Sequence, residues 1–117
     1  MNSSEYLLMS ARTESPKMYD NVNINTLHGV IGLTGEAGEL IDCIKKAMFY
    51  GHELDKVNIK EELGDCLWYI AQILRSEGWS FDEVMKENID KLIIRYPEQF
   101  TIEDSIERKD KNGTKTI

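Results

Sequence analysis

Only two prolines occur in the 117 residues, Pro16 and Pro97, and the apolar residues between them recur at helical spacing with no strand-like alternation. Proline breaks a helix by removing a backbone donor and clashing with the preceding turn. A long proline-free stretch with a helical period therefore points to an all-α chain. The first helix is expected from about Ser4 to Arg12, capped by Ser3 or Ser4, followed by a polar loop from Thr13 to Asn23. Asn25 is placed to cap a second helix that runs to about Tyr50 and stops at Gly51. Its stripe is Val30, Leu33, Ala37, Leu40, Ile41, Ile44, Ala47 and Met48. Asp55 caps a third helix ending at Glu77 before Gly78, with Ile59, Leu63, Leu67, Ile70, Ala71 and Leu74 as its stripe. Ser80-Phe81-Asp82-Glu83 has the form of a capping box and opens a fourth helix, carrying Val84, Ile89, Leu92 and Ile93, that ends before Pro97.

Short links between periodic helices favour an antiparallel bundle of about four to five helices, with the second and third paired along their stripes. The length suits one domain over residues 1–100. A charged tail, 101–117, has room for one short helix and ends in residues expected to be disordered. So small a domain has little stability to spare, which makes an oligomer unsurprising. No apolar run approaches the ~20 residues that span a bilayer, and the start lacks the pattern of a signal peptide. A cytoplasmic location, away from membranes, is the expectation. The net charge of −7 argues against a nucleic-acid polymer as partner, since phosphate contacts need a basic face. Cys43 and Cys66 form no disulfide framework and read as buried free thiols, and His28 and His52 lack zinc spacing.

Glu36-Ala37-Gly38-Glu39 and Glu62-Leu63-Gly64-Asp65 each place two acids at i, i+3, on one face of a helix. Glu36 lies three residues after Leu33 and four before Leu40, on a stripe that ought to be buried. Gly32, Gly35 and Gly38 occupy the same turns, and each mid-helix glycine costs roughly 1 kcal/mol relative to alanine. Local stability does not select such a segment. A tertiary cause is expected: close approach of another backbone, or a cation among the acids. Glu62 has a simpler alternative, because acids early in a helix complement its dipole; Asp65 lies deeper. Four carboxylates between two helices, with no histidine at ligand spacing, favour Mg²⁺, with Mn²⁺ as a substitute, over zinc or copper. Four acids exceed what one Mg²⁺ normally takes, so two ions are the natural inference.

Asn88, Lys91 and Arg95 fall at i, i+3, i+7 on the fourth helix. Such a stripe beside an acidic metal site is what a polyphosphate needs, and the same residues also fit an ordinary solvated face. Trp68 and Tyr69 follow Asp65; they suit stacking on a base, and equally a core or interface. Tyr69 joins Asn88, Lys91 and Arg95 as a candidate substrate-binding residue.

Three blocks occur in order: Gly32-Leu33-Thr34-Gly35-Glu36-Ala37-Gly38-Glu39-Leu40, then Glu61-Glu62-Leu63-Gly64-Asp65-Cys66-Leu67-Trp68-Tyr69, then Asn88-Ile89-Asp90-Lys91-Leu92-Ile93-Ile94-Arg95-Tyr96-Pro97. Together they resemble the MazG-type nucleotide pyrophosphohydrolases of the all-α nucleoside triphosphate pyrophosphohydrolase superfamily, over about Tyr6 to Phe100. The resemblance implies Mg²⁺-dependent cleavage between the α- and β-phosphates of a (deoxy)nucleoside triphosphate, giving the monophosphate and pyrophosphate. It implies that Glu36, Glu39, Glu62 and Asp65 are the metal-binding and catalytic acids. One glutamate, with Glu39 a candidate, orients or deprotonates the attacking water. Lys91 and Arg95 match phosphate-contacting positions, and Asn88 a polar position near them. It also implies a homodimer or homotetramer with sites where subunits meet. Two other readings stay open: hydrolysis of phosphoribosyl-ATP on the same fold, and a regulatory helical module that binds nucleotide or metal without turnover.

Overall fold

The computed structural model describes residues 1–111, and all regular structure among them is helical. The helices are α1 (Ser3–Ala11), α2 (Ile24–Phe49), α3 (Lys56–Glu77), α4 (Phe81–Arg95) and α5 (Ile102–Glu107). The expected all-α class is observed, and α5 is the short helix for which the tail had room. The disorder expected of the last residues falls on 112–117, outside the described residues.

The caps explain the boundaries. Asp55 accepts from the Asn58 N–H at 2.9 Å, and α3 ends on Gly78 at φ 75°, a left-handed conformation that suits glycine. At α4, the Ser80 hydroxyl accepts from Glu83 N–H while the Glu83 carboxylate accepts from Ser80 N–H, the full reciprocal box. Two starts differ from expectation. The cap of α1 is Asn2, whose side chain accepts from Glu5 N–H at 2.8 Å in a second such box. The cap of α2 is Asn23, because its side chain reaches the otherwise orphaned N–H of Asn25 at 2.8 Å.

Helices α2 and α3 form the main seam, and they run antiparallel. The start of α2 meets the end of α3: Thr26 Oγ1 lies 2.7 Å from Ser76 Oγ and donates to Glu77 Oε1 at 2.7 Å. Further along, Gln72 Nε2 lies 3.0 Å from His28 Nδ1, and at the opposite end Asn58 Nδ2 donates to Cys43 Sγ at 2.8 Å. Two glycines permit the close approach. A Cβ at Gly29 would stand 2.5 Å from Ile73 Cγ1 and 3.1 Å from the Tyr69 carbonyl oxygen. One at Gly32 would lie 2.1 Å from the Tyr69 ring, inside its van der Waals surface. Gly35 and Gly38 have no such neighbour within 4 Å.

Packing beyond this hairpin is slight; α4 touches α5, and the Arg95 side chain is clamped by Asp110 at 2.7 and 3.0 Å. The radius of gyration is 20.4 Å, against about 13 Å for a compact chain of this length. Among the described residues Leu74 is the one buried large apolar side chain. Much of each predicted stripe stays open, including Ile41, Leu67, Ile89 and Ile93. Four of the five helices are thus arranged as two pairs, α2 with α3 and α4 with α5, and the apolar stripes exceed what those pairs cover. Cys43 and Cys66 are free and half-buried rather than fully buried. No helix among the described residues is long and apolar enough to cross a membrane.

Candidate active site

The middle of the α2–α3 seam brings acids together. One carboxylate oxygen from each of Glu36, Glu62 and Asp65 lies within 4.8 Å of the others. Glu36 is half-buried and Asp65 exposed, whereas Glu62 is 8% exposed and is the buried charged residue among the described residues. Oε2 of Glu36 and Oε2 of Glu62 are each withdrawn from solvent without a hydrogen-bond partner. Buried carboxylate oxygens are ordinarily satisfied, so two such groups at one site suit a shared proton or a cation. A proton is one answer. The adjacent Glu36 carboxylate, then burial, then Glu39 push the Glu62 carboxyl up to about 8. A divalent cation is the other answer, and it would replace that proton while satisfying both orphaned oxygens. The residues present therefore fit a hard cation held by Glu36, Glu62 and Asp65.

Glu39 stands outside this three-acid group, exposed, yet close enough to act on Glu62. The sequence puts most weight on the α2 pair; in the structure the deepest acid is Glu62 of α3. Beside the acids is a cleft of about 380 Å³ lined by Glu36, Asp65, Trp68 and Tyr69. Trp68 and Tyr69 meet edge to face with centroids 5.2 Å apart. Tyr69 is anchored over Gly32, while Trp68 is 55% exposed. Cys66 adjoins the acids, but burial and then the charges of Glu36, Glu62 and Asp65 push its thiol up, which makes it a poor nucleophile.

The basic stripe is elsewhere. Asn88 and Lys91 are exposed on α4, which forms no substantial seam with α2 or α3 in this chain. Arg95 is occupied by Asp110, whose side chain is 4% exposed, a partner with no periodic signal in the charged tail to reveal it. Lys45 and Lys46 both pair with Asp42, at 3.2 and 2.8 Å, which accounts for them without a ligand. Gln72 and His28, hydrogen-bonded across the seam, also escaped sequence reasoning; only their helical register with Asp65 and Glu36 hinted at them.

A family model described as the MazG nucleotide pyrophosphohydrolase domain matches residues 27–100. The chain belongs to this family. The matched segment carries the three clustered acids, Glu39 and the whole of α4, so the family assignment covers both the acidic cleft and the basic stripe. MazG domains are nucleotide pyrophosphohydrolases. Among curated proteins, the Gene 37 protein of Mycobacterium phage L5 is 33% identical over 69 residues, covering 53% of this chain. The chain matches 58% of that protein's length, a little over half. No solved structure matches the chain at a significant level.

Proposed function

We propose that the protein hydrolyses (deoxy)nucleoside triphosphates to the monophosphate and pyrophosphate in a Mg²⁺-dependent reaction. The observation that carries this reading is the pair of orphaned, buried oxygens on Glu36 and Glu62 beside Asp65, inside a MazG domain. Glu36, Glu62 and Asp65 hold Mg²⁺, or Mn²⁺ in its place, with Glu39 beside them. When bound, such a cation would supply charge neutralisation along the triphosphate and polarisation at the α-phosphorus. Glu39, exposed at the edge of the cluster, holds and deprotonates the attacking water. Tyr69 and Trp68 flank the nucleoside.

Asn88, Lys91 and Arg95 bind phosphate from a second copy of the chain. What supports this is that α4 forms no substantial seam with α2 or α3, and that Leu67, Ile89 and Ile93 are open apolar residues whose burial a homodimer or homotetramer would complete. A cytoplasmic setting suits the free thiols and a nucleotide substrate.

The test is a panel of ribo- and deoxynucleoside triphosphates, with phosphoribosyl-ATP included, assayed for pyrophosphate with and without Mg²⁺. Release from a triphosphate that requires Mg²⁺ and is lost in Glu36→Gln is the expected result. Folded protein that binds nucleotide but releases nothing from any substrate would replace the reading with a non-catalytic module. Turnover of phosphoribosyl-ATP alone would replace it with the other hydrolase.

A further inference from the structure

A second, polar pocket opens on the same seam. It has a volume of about 290 Å³ and is lined by Asn25, Gln72, Arg75 and Ser76. Contacts link it to the acidic cleft. Tyr69 lines the cleft and meets His28 edge to face at 6.0 Å; His28 is bonded to Gln72, which lines the pocket. On the other side, the Arg75 guanidinium stands 6.0 Å over the Trp68 ring. Asp65 and Gln72 are seven residues apart on one helix, a rise of about 10 Å. That is the reach of a sugar and a base laid along the seam from an α-phosphate beside the acids.

The chemistry of the lining is specific. Ser76 is engaged by Thr26. Gln72 uses Nε2 on His28, and its Oε1 is buried with no partner. An amide oxygen left this way is an open acceptor, and its terminal torsion is soft: swinging Oε1 to the pocket trades the Nε2–His28 bond for one from a ligand N–H. Arg75 carries only donors, so the ligand group it meets beside that N–H is an acceptor. A carbonyl next to a ring N–H is the lactam edge of guanine, hypoxanthine, uracil and thymine. Adenine and cytosine present the opposite order, an amino group beside a bare ring nitrogen. They would set nitrogen lone pairs against Gln72 Oε1 and an amino group against Arg75.

We infer that this pocket reads the base, with Gln72 Oε1 accepting from the ring N–H of a lactam base and Arg75 donating to its neighbouring carbonyl. The inference rests on the proposed triphosphate hydrolysis and deepens it by naming the base class. A site that reads a hydrogen-bonding edge disfavours the ligand that sets donor against donor and acceptor against acceptor, so discrimination between the two classes is about tenfold or more.

The experiment compares kcat/KM for the triphosphates of guanine, hypoxanthine, uracil and thymine with those of adenine and cytosine, in the wild type, Gln72→Leu and Arg75→Ala. The lactam set is expected to lead in the wild type by about tenfold or more, with the gap collapsing in both variants through KM. Arg75 is exposed, so its variant reports even if Gln72→Leu folds poorly. A wild type that turns over all six alike, or a lead that survives Arg75→Ala unchanged, overturns the inference while leaving triphosphate hydrolysis intact. Absence of pyrophosphate release from every nucleotide overturns the hydrolase reading itself, and this inference falls with it.

Discussion

Glu36 and Glu62 face one another across the α2–α3 seam, each with its Oε2 buried and unbonded. In the metal-free chain they share the cost of two carboxylates in one dry place, and a proton on Glu62 relieves it. The substitution Glu62→Gln removes one charge and keeps the shape. It is expected to raise the thermal stability of the metal-free protein at pH 8 and to abolish the further rise that Mg²⁺ gives the wild type. Melting curves with and without Mg²⁺ check both effects, and catalysis should fall about 100-fold or more.

The same pair sets a pH dependence. Unfolded, Glu62 titrates near 4.5; folded, it titrates at about 8. Between those values the folded chain binds the extra proton, so the metal-free protein loses stability as pH rises from 4.5 through 8 and levels off above. Mg²⁺ displaces the proton and should flatten or reverse that slope. Thermal melts at pH 5, 7 and 9, with EDTA and with Mg²⁺, measure it.

Tight approach at Gly29 and open space at Gly35 predict opposite responses to alanine. Gly29→Ala drives a Cβ to 2.5 Å from Ile73 and 3.1 Å from a backbone oxygen, an overpacking cost of about 1–3 kcal/mol. Gly35→Ala meets nothing within 4 Å in the chain and gains up to ~1 kcal/mol of helix propensity. Denaturant midpoints on dilute protein should order Gly35→Ala, wild type, Gly29→Ala from most to least stable.

Arg95 and Asp110 make the test of the tail. Asp110→Asn weakens a two-bond pair that ties the segment after α5 to α4, so stability should fall. The hydrogen bond from Arg95 holds the Asp110 carboxyl below its usual range, so its contribution is present at neutral pH and is lost as pH falls through that lowered value. Arg95 is also a proposed phosphate ligand, so the variant frees it for substrate and KM should drop. Melting and steady-state kinetics on one preparation separate the two effects.

Local chemistry was the legible part of this chain. Asp55, Ser80 with Glu83, and Gly78 mark helix ends because capping bonds are made within a few residues. The starts of α1 and α2 slipped because several polar side chains compete for the same orphan N–H groups; Asn2 and Asn23 won. Glu36 was legible as a carboxylate on the wrong face. Glu62 as the deepest acid was not, since helix-dipole logic explains an early acid equally well. Gly32 meets the Tyr69 ring rather than the backbone that the sequence led us to expect, while Gly35 and Gly38 have nothing against them in the chain. The pairing of Arg95 with Asp110 and of His28 with Gln72 depends on packing between segments, which periodicity does not encode.

The most direct test of the central claim is the identity of the products. Phosphorus NMR of a nucleoside triphosphate incubated with the protein and Mg²⁺ should show the monophosphate and pyrophosphate appearing together, with neither formed in EDTA. A nucleoside diphosphate with inorganic phosphate, or an unchanged triphosphate in the presence of folded, Mg²⁺-loaded protein, would contradict it.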